Sequence, residues 1–68
     1  MRNLLIGDEV EWDTFRGTDR GRVSMITAKR VYVRNTRVRT RGKGAGTSYD
    51  CEFWWDAHEV DRLRKVEP

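Results

Sequence analysis

The chain has 68 residues, 14 Lys and Arg against 11 Asp and Glu, a formal net charge of +3, and 37% charged side chains. A chain this short makes one small domain, expected over 1–68, that buries only about 60% of its unfolded surface, so the core needs a disulfide, a metal, a partner or very good packing. One cysteine, Cys51, excludes an intramolecular disulfide, and one histidine, His58, with no CxxC pair leaves too few ligands for a structural zinc.

The start, MRNLLIGDEV, has only Leu4 to Ile6 as consecutive apolar residues. A signal peptide needs an apolar run of roughly 7–15 residues and a spanning helix about 20. The expectation is a soluble cytoplasmic protein with no membrane partner. Three Trp, two Tyr and two Phe argue for a packed core despite the charge. In EVEWD, Val10 and Trp12 share one face and Glu9, Glu11 and Asp13 the other, the alternation of a half-buried strand. DTFRGTDRG reads as a loop, punctuated by Gly17 and Gly21. RVSMIT reads as a second strand with Val23 and Met25 inward.

After the short turn TAKR, VYV opens a third strand rich in β-branched and aromatic residues. Strict alternation from Val31 and Val33 would point Asn35, Arg37, Arg39 and Arg41 inward, which is costly without partners. A bulge or turn at Asn35–Thr36 would reverse the phase, bring Val38 inward and line the arginines along one outer face. RGKGAGTS forms a flexible tip, so a basic hairpin arm spans about 34–48. The return strand SYDCEFWW places Tyr49, Cys51, Phe53 and Trp55 on one face, and Asp50, Glu52 and Trp54 on the other. DAHEV suits one 3₁₀ turn, and DRLRKV closes the chain with Leu63 inward. Five short strands with one 3₁₀ turn before the last describe an all-β, closed or nearly closed small barrel.

IGDEVEW, GRVSMITAKRVYVR and FWWDAHEVDRLRKV resemble the SH3-like small barrels, a group that includes Tudor, KOW and related bacterial and phage modules. The resemblance covers about residues 6–66 and departs between Asn35 and Ser48, where the hairpin is longer and more basic. It implies a five-stranded SH3-like barrel acting as an accessory module on a host complex. Type II dihydrofolate reductases share this outline, but their Val-Gln-Ile-Tyr stretch is replaced here by Glu52-Phe53-Trp54-Trp55, so that activity does not carry over.

No catalytic residue, metal or cofactor is expected. Cys51 falls on the inward face, where a thiol behaves as a small hydrophobe, and His58 falls at the rim. The tip lacks the GxxxxGK[ST] spacing of a phosphate loop. Recognition remains. Lys29 to Gly44 holds seven basic residues and no acid, and the leading expectation is an arm that lays Arg30, Arg34, Arg37, Arg39, Arg41 and Lys43 along DNA or RNA phosphates. Tyr32 and Trp54 would supply aromatic contacts to unpaired bases. Nine of the eleven acids, four at 8–13 and five at 50–61, oppose a long duplex footprint. The alternative partner is a protein or peptide held by aromatics and acids, as in Tudor-type barrels, or a second copy sealed by Trp54. The plainest alternative is a solvated hairpin whose arginines pair with Asp50 and Glu52.

Overall fold

The computed structural model describes residues 4–66; residues 1–3 and 67–68, part of the single domain expected over 1–68, lie outside the described residues. β1 (Glu9–Thr14), β2 (Gly17–Ile26), β3 (Arg30–Val38) and β4 (Ser48–Asp56) are followed by a 3₁₀ turn (Ala57–Arg62) and β5 (Arg64–Lys65). All pairings are antiparallel and the order is β4-β3-β2-β1-β5. The fold is therefore all-β, with five strands and one 3₁₀ turn before the last. The sheet is open, with β4 and β5 at its two edges.

The core lies on one face. Val10 and Trp12 from β1, Val23 from β2, and Val31 and Val33 from β3 are buried there, and Leu4, Val60 and Leu63 close over them. Each fully buried Val or Leu contributes roughly 1.5–3 kcal/mol relative to exposure. The 3₁₀ turn supplies Val60, and Leu63 follows it. The Ala57 N–H donates to the Lys29 carbonyl at 2.8 Å, which fixes the turn over the β2–β3 connection. Trp12 meets Trp55 edge-on at a centroid distance of 4.9 Å and Phe53 at 5.5 Å, so the inward aromatics of β4 pack against β1 across the core.

Four local expectations are corrected. Of DTFRGTDRG, read as loop, Asp13 and Thr14 end β1, and the segment from 17 to 21 belongs to a ten-residue β2 that pairs with β1 from Thr14↔Gly17 to Glu9↔Arg22. Its Gly and Asp content suggests a loop, but pairing with β1 holds it extended, and the β3 ladder joins at Arg22. The phase change lies in β2, not at Asn35–Thr36. The β2–β3 register slips between Val23 and Met25, and the Ser24 hydroxyl donates to the Tyr32 carbonyl at 3.3 Å. Met25 consequently turns outward, 46% exposed, and Ile26 packs against the core instead. β3 runs without interruption against β4, from Arg30↔Asp56 to Val38↔Ser48, so Val38 stays outward and exposed rather than inward.

Every residue from 38 to 50 is exposed, so the β3–β4 hairpin extends past the core. Its tip is hydrogen-bonded: the Arg39 N–H donates to the Thr47 carbonyl at 3.0 Å, and the Gly46 N–H donates to the Arg39 carbonyl at 2.8 Å. The described residues span 41 × 24 × 21 Å.

Among the described glycines, Gly21 is the one packed too closely to accept a side chain. A Cβ there would lie 2.6 Å from Val33 Cγ1 and 2.9 Å from the Arg34 carbonyl oxygen. A methyl side chain can be relieved against Val33 only by displacing a core residue, and the carbonyl is part of the β3 backbone. Gly21→Ala is expected to destabilise the fold by about 1–3 kcal/mol, seen as a lower urea midpoint; an unchanged midpoint would contradict this close packing.

Candidate functional site

Unbroken pairing of β3 with β4 sorts the sequence-predicted residues onto two faces and a tip. Arg30, Tyr32 and Arg34 project from alternate positions on the outer face, opposite Asp56, Trp54 and Glu52. Tyr32 is half-buried between two neighbours in register: Met25 on β2 and Trp54 on β4, the latter 56% exposed. Arg30 binds Asp56 at 3.1 Å and stands 5.6 Å from the Trp54 ring centroid. The Tyr32 hydroxyl and then the Asp56 carboxylate raise the pKa of Arg30. Arg34 reaches Glu52 at 3.2 Å.

Arg37 departs from the expected row. It lies on the inner face, where its guanidinium bonds Asp19 at 2.6 Å and sits 5.5 Å from the Phe53 centroid. Asn35 also turns inward, and its amide donates to the Arg20 carbonyl at 3.2 Å. Asp19 and the Arg20 carbonyl thus provide partners for one group of each inward polar residue, while the Arg37 Nε and the Asn35 Oδ1 are buried without a partner among the described residues. Arg39, Arg41 and Lys43 occupy the exposed tip and make no ion pair among the described residues.

β2 adds two outer-face cations absent from the expected set: Arg20, in a segment that looks like loop, and Arg22, which opens the expected strand RVSMIT opposite in phase to Val23. Arg20 pairs with Glu11 at 3.3 Å. Arg22 stands directly opposite Arg34 and donates to the Gly7 carbonyl at 3.1 Å. A groove of about 460 Å³ opens here, lined by Arg20, Arg22, Ser24, Arg34 and Thr36, with Glu9 and Asp50. The alternation of Arg20 and Arg22 with Gly21 and Val23 was the available signal.

Both acidic blocks are engaged by cations, most from other elements and one from within the 3₁₀ turn. Asp8 meets Lys65 at 3.4 Å, Glu11 and Asp13 meet Arg64 at 3.3 and 2.8 Å, and Glu59 meets Arg62 at 3.2 Å. Asp56, His58 and Glu59 bring one ligand atom each within 4.8 Å of one another, but Arg30 and Arg62 already hold both carboxylates. Five residues of strand, about 17 Å, separate Cys51 from the end of β4, beyond which His58 lies. Among the described residues no helix is long and apolar enough to cross a membrane.

No family model, no curated protein and no solved structure matches the chain. The site's chemistry therefore rests on its own geometry.

Two of the paired acids make stability pH-dependent. The Leu5 backbone N–H, donated at 2.9 Å, and next the Lys65 ammonium hold the Asp8 carboxyl below its ordinary value of 3.8. The Arg64 guanidinium does the same for Asp13. With folded values below unfolded ones, the stabilisation is complete above about 3.8 and is lost as pH falls from there through the lowered folded values. Urea midpoints measured across the acid range are expected to fall in that window, and more gently in Asp13→Asn. Equal slopes in the two proteins would contradict the assignment.

Proposed function

We propose that this protein is a small non-enzymatic module of the SH3-like barrel type that binds nucleic-acid phosphates through its β3–β4 hairpin. The strand order, the 3₁₀ turn before β5 and the buried Val10–Trp12 alternation support the barrel reading. One observation carries the functional reading: Arg39, Arg41 and Lys43 stand together on an exposed tip without carboxylate partners among the described residues, while most described acids are neutralised within the sheet. The acidic blocks that oppose phosphate binding in the linear sequence are largely compensated in space. Uncompensated arginines are suited to bidentate phosphate contacts, and the tip extends them away from the core. The free Cys51 supports a reducing, cytoplasmic setting.

The alternative is Tudor-like capture of a peptide or cation by aromatics. Trp12, Phe15 and Phe53 do line a pocket of about 280 Å³. Arg37 already places its guanidinium against Phe53 and bonds Asp19, so an intramolecular cation occupies the position a ligand cation would need. Self-association through Trp54 would use the outer face instead of the tip.

Fluorescence anisotropy with labelled duplex DNA, single-stranded DNA and RNA at about 50 and 200 mM salt tests the proposal. The expected result is binding whose log K falls with log salt by about 0.9 per phosphate on duplex and 0.7 on single strands. The combined Arg39→Ala, Arg41→Ala, Lys43→Ala variant should weaken binding and flatten that slope. A slope unchanged by these substitutions would remove the hairpin tip from the interface.

A further inference from the structure

The outer face of β2, β3 and β4 carries residues that a phosphate-binding tip does not use. Met25, Tyr32 and Trp54 form a row across three strands, one side chain from each. Strands lie about 4.8 Å apart, so the row is about 10 Å wide, the scale of a nucleobase. Trp54 is more than half exposed even with the Arg30 guanidinium 5.6 Å from its ring centroid, so a base stacking on this row must share or displace that cation. Along β3 the order outward is Arg30, Tyr32, Arg34, a cation on each side of the aromatic at about 6.7 Å. A nucleotide within a strand likewise has a phosphate on each side of its base.

We propose that this face is a single-stranded nucleic-acid site, distinct from the tip, in which an unpaired base stacks on Tyr32 and Trp54 and a flanking phosphate enters the groove between Arg22 and Arg34. It presupposes the nucleic-acid function proposed above and specifies its ligand class. Arg22 and Arg34 face each other across β2 and β3, a like-charge pair that is unfavourable in an empty sheet and favourable around an anion. Arg22 donates to the Gly7 carbonyl and forms no ion pair among the described residues, although Glu9 stands opposite it on β1. Ser24 and Thr36 bring hydroxyls to the same groove. Glu9 and Asp50 also line it, and Asp50 is held at 3.0 Å by the Thr36 hydroxyl. Arg34 must exchange Glu52 for phosphate. That ion pair is exposed on both sides and therefore weak, so a phosphate can compete for the guanidinium. Bases in a duplex are already stacked and their faces cannot reach the row, so the site selects unpaired strands.

The test compares oligo(dT), oligo(U) and a duplex of equal length by fluorescence anisotropy, using intact wild-type protein and variants. Trp54→Ala is expected to weaken single-strand binding by about 5- to 150-fold, the range for loss of one stacked base, with duplex binding changed little. Trp54→Phe should restore most of the loss. Arg22→Gln should also weaken single-strand binding, and Glu52→Gln should strengthen it by freeing Arg34. If wild type binds strands but Trp54→Ala, Arg22→Gln and Glu52→Gln leave their affinity unchanged, while the tip variant abolishes it, the sheet-face site is wrong and the tip reading stands. Absence of binding to any of the three probes at low salt would overturn both.

Discussion

The rest of the structure depends on the register of β3 against β4. Nine consecutive rungs without a slip leave no freedom over which side chains face the core. Val31 and Val33 point inward, so Asn35 and Arg37 must follow, and Arg30, Tyr32, Arg34 and Thr36 must face out. An inward arginine without a partner would cost several kcal/mol. Asp19 on β2 reduces that penalty, with its carboxylate 2.6 Å from the Arg37 guanidinium, and Phe53 receives the cation's face, while the buried Arg37 Nε has no partner among the described residues. Both side chains keep partial solvent exposure, so the pair is best understood as a condition for the register rather than a large source of stability.

The one irregularity lies in β2, and it has a complementary effect. By slipping at Ser24, β2 keeps Val23 in the core yet turns Met25 outward beside Tyr32. Without that slip the outer row would lack its third member, and Ile26 would lose its inward position. The core and the outer aromatic row are thus products of the same backbone event. Close packing of Gly21 on Val33 brings β2 and β3 together next to it.

Much of the fold was legible because alternation survives in short strands. EVEWD, the core-facing Phe53 and Trp55 of SYDCEFWW and the 3₁₀ turn before a short last strand follow from period-two and turn signals, while Tyr49 on the same side lies past the core and is exposed. The extent of β2 was not legible. Gly17, Thr18, Asp19 and Gly21 favour a loop locally, and only cross-strand hydrogen bonds make them extended. Missing that segment concealed Asp19, and without Asp19 the inward phase of Arg37 looked forbidden, so a bulge was assigned to the wrong strand. The exposure of Trp54 and its pairing with Tyr32 were within reach of alternation. Arg22, next to the inward Val23, was equally within reach, whereas Arg20 was hidden in a segment whose composition suggests a loop. The charge pattern was equally partial: acidic and basic blocks separated along the chain are interleaved across the sheet, leaving the tip cations and Arg22 without carboxylate partners among the described residues.

The most direct measurement is a two-dimensional NMR titration of the labelled protein with oligo(U), following backbone amides and the three tryptophan indole N–H signals. Because β3 keeps one phase throughout, the Trp54 indole and the amides around Tyr32, Arg22 and Arg34 should shift together with the hairpin tip. Trp12 and Trp55, on the opposite face, should remain in place. Shifts concentrated on Trp12, Trp55 and the Asp19–Arg37 pair would place the ligand on the inner face and contradict the account.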